Sequence, residues 1–196
     1  MRRKKGILAL ALLASITLLG SCDHYQPRPR GYFRIDLPKK SYTTFNNKKY
    51  PFTFEIADSS LCLVVEKAER ANDKYGFNIA YPQLHSTIYC DYKPVTDNFR
   101  DISEDCRNFV YKHVAKADAI TEQPYEDSEK KVYGIMYEIK GNAASQIQFV
   151  LTDSSKHYFR GALYFHATPN ADSLAPVTDY MKEDIVHMIE TFNWTR

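Results

Sequence analysis

Leu19-Gly20-Ser21-Cys22 decides which part of this 196-residue chain folds, and in which compartment. Arg2, Arg3, Lys4 and Lys5 precede an apolar run from Ile7 to Leu19 that is broken only by Ser15 and Thr17. About thirteen residues is too short for a bilayer-spanning helix, which needs roughly twenty, and matches the apolar part of an export signal. A leucine, two small residues and a cysteine at its end form a lipobox. The thiol is the group that accepts diacylglycerol, and the small residues fit the cleavage enzyme. Residues 1–21 therefore read as a lipoprotein signal peptide, with lipidated Cys22 as the first mature residue. Plain signal cleavage or an uncleaved anchor would explain the charge and length but leave the cysteine without a use. Two or more acyl chains, at ~0.8 kcal/mol per buried methylene, hold such a protein stably at a membrane outside the cytoplasm.

The mature part has 175 residues, enough for one core, and residues 32–196 are expected to form a single α+β domain. The signal carries four of the 26 basic residues and none of the 24 acidic ones, so the mature chain has a net charge of −2. That removes the electrostatic basis for nucleic-acid binding. Fifteen Tyr, 11 Phe and one Trp, none of them in the signal, favour a sheet-rich core. Cys62, Cys90 and Cys106 remain once Cys22 is acylated, an odd number that permits at most one bridge; the expectation is three buried, unreactive thiols.

Residues 22–31 read as an extended tether, with alternating prolines that favour about 3 Å per residue. Arg28 and Arg30 either meet lipid phosphates or only keep the tether solvated. Tyr32 to Leu37 alternates and predicts a short edge strand stopped by Pro38; Lys39 to Tyr50 reads as a polar loop. Strands are predicted at Phe52–Ile56, Leu61–Val65, Phe77–Tyr81 and Leu84–Tyr92, with a charged connection from Glu66 to Tyr75. Thr96 to Ala117 has helical spacing, with Phe99, Ile102, Cys106, Phe109, Val110, His113 and Val114 on one face. A weak strand at Ala119–Glu122 precedes a meander of Val132–Lys140, Gln146–Thr152 and Tyr158–Ala167. Its inward residues are expected to be Tyr133, Ile135, Tyr137 and Ile139, then Ile147, Phe149 and Leu151, then Phe159, Leu163 and Phe165. A helix from Pro169–Ser173 onward carries Leu174, Val177, Tyr180, Met181, Ile185, Met188, Ile189 and Phe192. The order implies an antiparallel sheet with two main packed helices, a layout similar to Mog1/PsbP-like domains.

The chain offers little for catalysis. Cys106 and His113 stand two turns apart, about 10 Å, too far for a dyad. Asp153-Ser154-Ser155-Lys156-His157 holds the letters of a triad inside a hairpin turn without a nucleophile elbow. Glu183 and His187 lie one turn apart with no second pair to complete a metal site. No catalytic residue, metal or cofactor is assigned. The face of the last meander strand opposite the core is more telling. Tyr158, Arg160, Tyr164 and His166 project together, and a Tyr-rich ribbon with a central Arg has interface composition. Either this ribbon is a partner surface or a helix covers it.

Beyond these features, the chain resembles the GldD family of gliding motility-associated lipoproteins. The resembling stretches are Pro29 to Pro38, Tyr111 to Ala117, Gly141 to Ala144, Gln148-Phe149, Asp153-Ser154, Lys156-His157, Arg160 to Phe165, Pro169 to Leu174 and Glu190 to Trp194. The resemblance implies a Bacteroidota envelope lipoprotein, periplasm-facing and needed for gliding in cells that depend on type IX secretion. It implies no enzymatic activity; its partners would be envelope proteins of that machinery. The alternative class is an envelope binding module or chaperone for a lipid, glycan or protein client. Which membrane receives it, inner or outer, is left open. Asp172-Ser173-Leu174 also resembles a Bacteroidota O-glycosylation signal at Ser173, unless Asp172 or Ser173 simply caps the last helix.

Overall fold

Ten strands and two α-helices are formed by the described residues, 35–66 and 75–195, of the computed structural model. The signal, the tether with Cys22, residues 32–34 of the first expected strand and most of the charged connection lie outside these residues. In chain order come β1 (Tyr42–Asn46), β2 (Phe52–Ala57), β3 (Leu63–Glu66), β4 (Gly76–Tyr81) and β5 (Ser86–Pro94). Helix α1 (Phe99–Tyr111) follows, then β6 (Ala117–Asp127), β7 (Val132–Gly141), β8 (Ile147–Thr152) and β9 (His157–Phe165). Helix α2 (Ala171–Thr191) and the two-residue β10 (Asn193–Trp194) close the chain. The α+β class with antiparallel sheets agrees with the sequence reading.

Seven strands form one antiparallel sheet in the order β3-β4-β5-β9-β8-β7-β6, and β1-β2-β10 form a second, smaller one. The small sheet and α2 cover one face of the large sheet, and α1 covers part of the other. Phenylalanines join the layers on the first face. Phe52 lies 5.0 Å from Phe159 of β9 and 5.3 Å from Phe192 at the end of α2, measured between ring centroids. Phe45 lies 4.8 Å from Phe54 and 5.2 Å from Phe77 of β4. The rings of Phe52, Phe77, Phe149, Phe159 and Phe192 are fully buried. Such pairs contribute about 0.5–1.5 kcal/mol each beyond their burial.

Helix α2 begins at Asn170, whose side chain accepts from the Ser173 amide at 3.2 Å. Asn170 is thus the cap that the sequence reading assigned to Asp172 or Ser173. Val177, Tyr180, Met181, Ile185, Met188 and Ile189 then recur every three or four residues and are buried.

Three elements differ from expectation. Residues 35–37 form no strand, and Ile35 and Leu37 are exposed. The strand lies five residues later, at β1 within the expected loop, where Thr43, Thr44 and Asn46 are exposed and only Phe45 is buried. One inward residue in five gives no readable alternation, yet all five residues of β1 pair with β2. Strand β7 is turned over. Met136 pairs with Phe149, which pairs with Gly161, so these share the phenylalanine face. Tyr137 and Ile139 instead pack under α1 with Val110. Both faces of β7 are covered, and alternation alone does not say which cover is the main core. The expected helix through Ala117 ends at Tyr111 and is followed by a 3-10 turn at Val114–Lys116, leaving Phe99, Phe109 and Val114 exposed. In the other direction, the weak strand grows into the eleven residues of β6.

Gly161 is required by this packing, since a Cβ there would overlap the Phe149 ring. Gly161→Ala is expected to lower unfolding free energy by about 1–3 kcal/mol through overpacking, read as a shift of the denaturant midpoint at constant m-value.

Candidate interaction surface

The face of the large sheet turned towards α1 is built from rows of cross-strand neighbours. Leu63, Ala80, Thr87 and Tyr164 form one row, and Val65, Asn78, Tyr89 and Ala162 the next. Helix α1 lies over the β7–β9 part of this face. Ile102 and Cys106 pack on Tyr158, and Val110 packs on Tyr137 and Ile139.

The ribbon proposed from sequence is therefore divided. Tyr158 is only 4% exposed, and burial, followed by the neighbouring Cys106 thiol, pushes its phenol up. It is removed from the accessible surface. Arg160 is half-buried at the helix margin. It donates to Gln148 Oε1 at 2.8 Å, and its guanidinium lies 5.0 Å from the Phe109 ring centroid. Tyr164 and His166 lie beyond the helix. The Tyr164 ring meets Tyr89 nearly at right angles at 5.5 Å, and together with Arg160 and Ala162 they line an open depression of about 390 Å³. His166 is exposed, with Nε2 2.8 Å from Thr87 Oγ1. A groove of about 460 Å³ runs along the other flank of α1, lined by Phe99, Arg107, Tyr133 and Tyr137 among others.

Exposed apolar side chains collect on this side. Phe99, Phe109, Tyr111 and Val114 belong to α1 and the turn after it, and Leu63 and Val65 to the outer face of β3. Sequence reasoning missed the helix's share because it assigned Phe99, Phe109 and Val114 to the core. A thirteen-residue helix with three buried positions, Ile102, Cys106 and Val110, leaves its remaining aromatics in solvent.

The other residues singled out from sequence serve the fold. Asp153 Oδ1 accepts from the amides of Ser155, Lys156 and His157 at 2.8–3.0 Å. Burial alone would raise its carboxyl, but these amides hold it below the ordinary carboxylate range. His157 Nδ1 lies 2.8 Å from the Tyr92 hydroxyl, and its ring stacks on Trp194. Glu183 and His187 are drawn apart, Glu183 to Lys40 at 3.1 Å and His187 to Glu55 at 2.7 Å. Cys62, Cys90 and Cys106 are buried and not bonded to one another. Burial, with the Asp184 carboxylate second, pushes the Cys62 thiol up to about 12, and burial raises Cys106 as well. Both stay protonated and weakly reactive at neutral pH. No group of three or more His, Cys, Asp or Glu side chains is arranged to hold a metal among the described residues.

Sequence reasoning also missed a buried ion pair. Asp184, 1% exposed in its side chain on the inner stripe of α2, receives the Lys40 ammonium at 2.8 Å and the Tyr42 hydroxyl at 3.0 Å. Lys40 Nζ also donates to the Tyr180 carbonyl at 2.6 Å and lies 4.1 Å from that residue's ring centroid. Lys40 fell within the expected loop, and Asp184 breaks an otherwise apolar stripe, so neither suggested the other.

A family model described as gliding motility lipoprotein GldD matches residues 22–194. The chain belongs to the GldD family of gliding motility lipoproteins. Among curated proteins no significant match was found. Family membership makes the protein a membrane-anchored component of the cell envelope. Among the described residues no helix is long and apolar enough to cross a membrane. The GldD match begins at Cys22, the residue the lipobox marks for acylation, and covers the whole described fold, the α1 side and the Lys40–Asp184 pair included.

Two outcomes test this reading of the side chains. Arg160→Ala is expected to lower the melting temperature, because it removes a charge-assisted hydrogen bond and leaves the buried Gln148 without that partner. Tyr164→Ala at the open depression is expected to leave it nearly unchanged. Separately, Lys40→Met strands a buried carboxylate and is expected to cost about 3–5 kcal/mol, while Lys40→Met with Asp184→Leu recovers most of that loss. Urea unfolding of the three proteins side by side measures both steps.

Proposed function

We propose that this GldD-family protein is a non-catalytic, periplasm-facing component of the gliding and type IX secretion machinery. Lipid on Cys22 holds it at the membrane, and the α1 side of its large sheet makes the protein contacts. One observation carries the reading: Tyr164, Tyr89 and Phe109 gather around Arg160 on the side where the sheet is incompletely covered, and Phe99 and Tyr111 are exposed on the same helix as Phe109. Tyrosine and arginine in that setting are the residue types that dominate binding energy at interfaces. Tyr rings supply rigid area at small entropic cost, and Arg offers a planar fork of donors.

The packing of the opposite face favours this reading over a chaperone that encloses a client. Stacked phenyl rings fill the space between the large sheet, α2 and the small sheet. The depressions beside α1 are open and shallow, suited to a protein surface. The triad letters at 153–157 are engaged in a turn and an aromatic stack, which supports a role without catalysis.

The test is affinity purification of the lipidated protein from its own membranes, alongside Tyr164→Ala/Phe109→Ala and Cys22→Ala. The surface variant is expected to keep its melting temperature and membrane association but lose the envelope proteins that accompany the native form, since truncating a true anchor costs at least about 2 kcal/mol. Cys22→Ala is expected to lose metabolic fatty-acid label and accumulate as precursor. An unchanged set of co-purifying proteins with the surface variant overturns the interaction reading, and undiminished label in Cys22→Ala overturns the anchor.

A further inference from the structure

The two edges of the large sheet are built differently. Strand β6 places Asp118, Glu122, Glu126 and Asp127 along its edge and interrupts it with Pro124, which are the devices that stop an edge from pairing with another chain. Strand β3 has no proline and no row of charges. Its residues Leu63, Val64 and Val65 are 54%, 38% and 49% exposed, and among the described residues it pairs only with β4. Its one charge, Glu66, is engaged elsewhere: Asn47 Nδ2 donates to it at 2.8 Å and the Lys49 ammonium lies at 3.7 Å. Glu66 therefore does not guard the edge.

We propose that β3 is a self-association edge, and that its occupant is β3 of a second copy of the chain, paired antiparallel about Val64. The register argues for this partner. A two-fold axis perpendicular to the sheet requires residues of the same face to lie opposite one another. Centred on Val64, it sets Leu63 opposite Val65 of the other copy, Val65 opposite Leu63, and Val64 opposite itself. Every apolar side chain of the edge then meets an apolar one, on both faces of the joined sheet. The outer face of β3 continues into the rows that carry Tyr89 and Tyr164, so pairing would merge the open half-faces of two molecules into one surface. A single short strand buries little area and belongs to the weak class of interface, below about 1,200 Å². Lipid anchoring compensates by confining both copies to one membrane, where the encounter resembles an intramolecular one. The inference does not depend on which envelope protein binds the α1 side.

Site-directed crosslinking in native membranes tests it. Val64→Cys in the full-length lipidated protein, oxidised or treated with a short bis-maleimide, is expected to give a homodimer several-fold more abundantly than Val114→Cys, an exposed position beside the opposite edge. Co-expressed Leu63→Cys and Val65→Cys chains are expected to crosslink to each other better than either does to itself, which reads the register directly. Val64→Lys, which opposes two like charges, is expected to remove the native dimer captured by amine-reactive crosslinking while the circular dichroism spectrum is retained. Homodimer from Val64→Cys no greater than from Val114→Cys overturns the proposal. So does a Val64→Cys adduct formed only with a different protein, because β3 would then receive a strand from another partner. The cysteine variants keep the test decisive even if Val64→Lys fails to fold.

Discussion

Phe52 stands where the two sheets and the end of α2 meet, and the remaining structure depends on that contact. Its ring touches Phe54, Phe159, Phe192 and Trp194, which come from β2, β9, the residue after α2 and β10. None of these layers buries its apolar side alone. The small sheet has three strands, one only two residues long, and needs the large sheet beneath it. Helix α2 needs both. Burial at roughly 25 cal/mol per Å² rewards all three surfaces together, so the contact joins early and late parts of the chain into one cooperative unit.

Two-sided cover of the large sheet also sets the limit of what the sequence discloses. Strands β8 and β9 alternate cleanly, and the faces of Phe149, Phe159 and Leu163 could be read from it. In β7 the tyrosines and isoleucines at 133, 135, 137 and 139 are larger and more regular than Val132, Gly134 and Met136, so the wrong set looked like the core. The phenylalanine face takes a glycine at 134 because the Leu151 side chain and the Val150 carbonyl occupy the space a Cβ would need. Strand β1 was illegible for the opposite reason, since one buried residue in five carries no period. Lys40 and Asp184 were illegible because pairings across 140 or more residues leave no local trace, and Asn170 because Asp172 and Ser173 beside it are residues of the same capping type. The lipoprotein family was legible because the stretches that carry it are short and local.

The open surface beside α1 follows from dimensions. Thirteen residues at 1.5 Å each make a helix of about 20 Å, while seven strands at about 4.8 Å spacing make a sheet some 30 Å wide. One such helix cannot cover that face. On the other face α2, with 21 residues, and the small sheet share the task. The sequence adapts to the uncovered flanks with tyrosines, which tolerate half-exposure, and with an arginine held by Gln148 and Phe109. The shortness of α1 is enough to leave this flank open.

The buried pair at Lys40 ties the chain before β1 to α2. Lys40 lies on the N-terminal side of β1 and is held by Asp184, Glu183 and the Tyr180 carbonyl, all on α2. Any constraint passed along the polypeptide from its N-terminal side therefore enters the described fold through α2, before it reaches the five-residue β1. A buried ion pair gains little net stability over an apolar pair of the same volume, so its retention is better understood as fixing one geometry. It holds the incoming chain against the helix side of the phenylalanine core, while Tyr89, Tyr164 and Phe109 lie across the sheet on the side of α1. Lys40 and the aromatic side chains beside α1 thus lie on opposite faces of one sheet. Through Lys40 the segment before β1 is fastened to α2 and the packed core instead of to a surface loop.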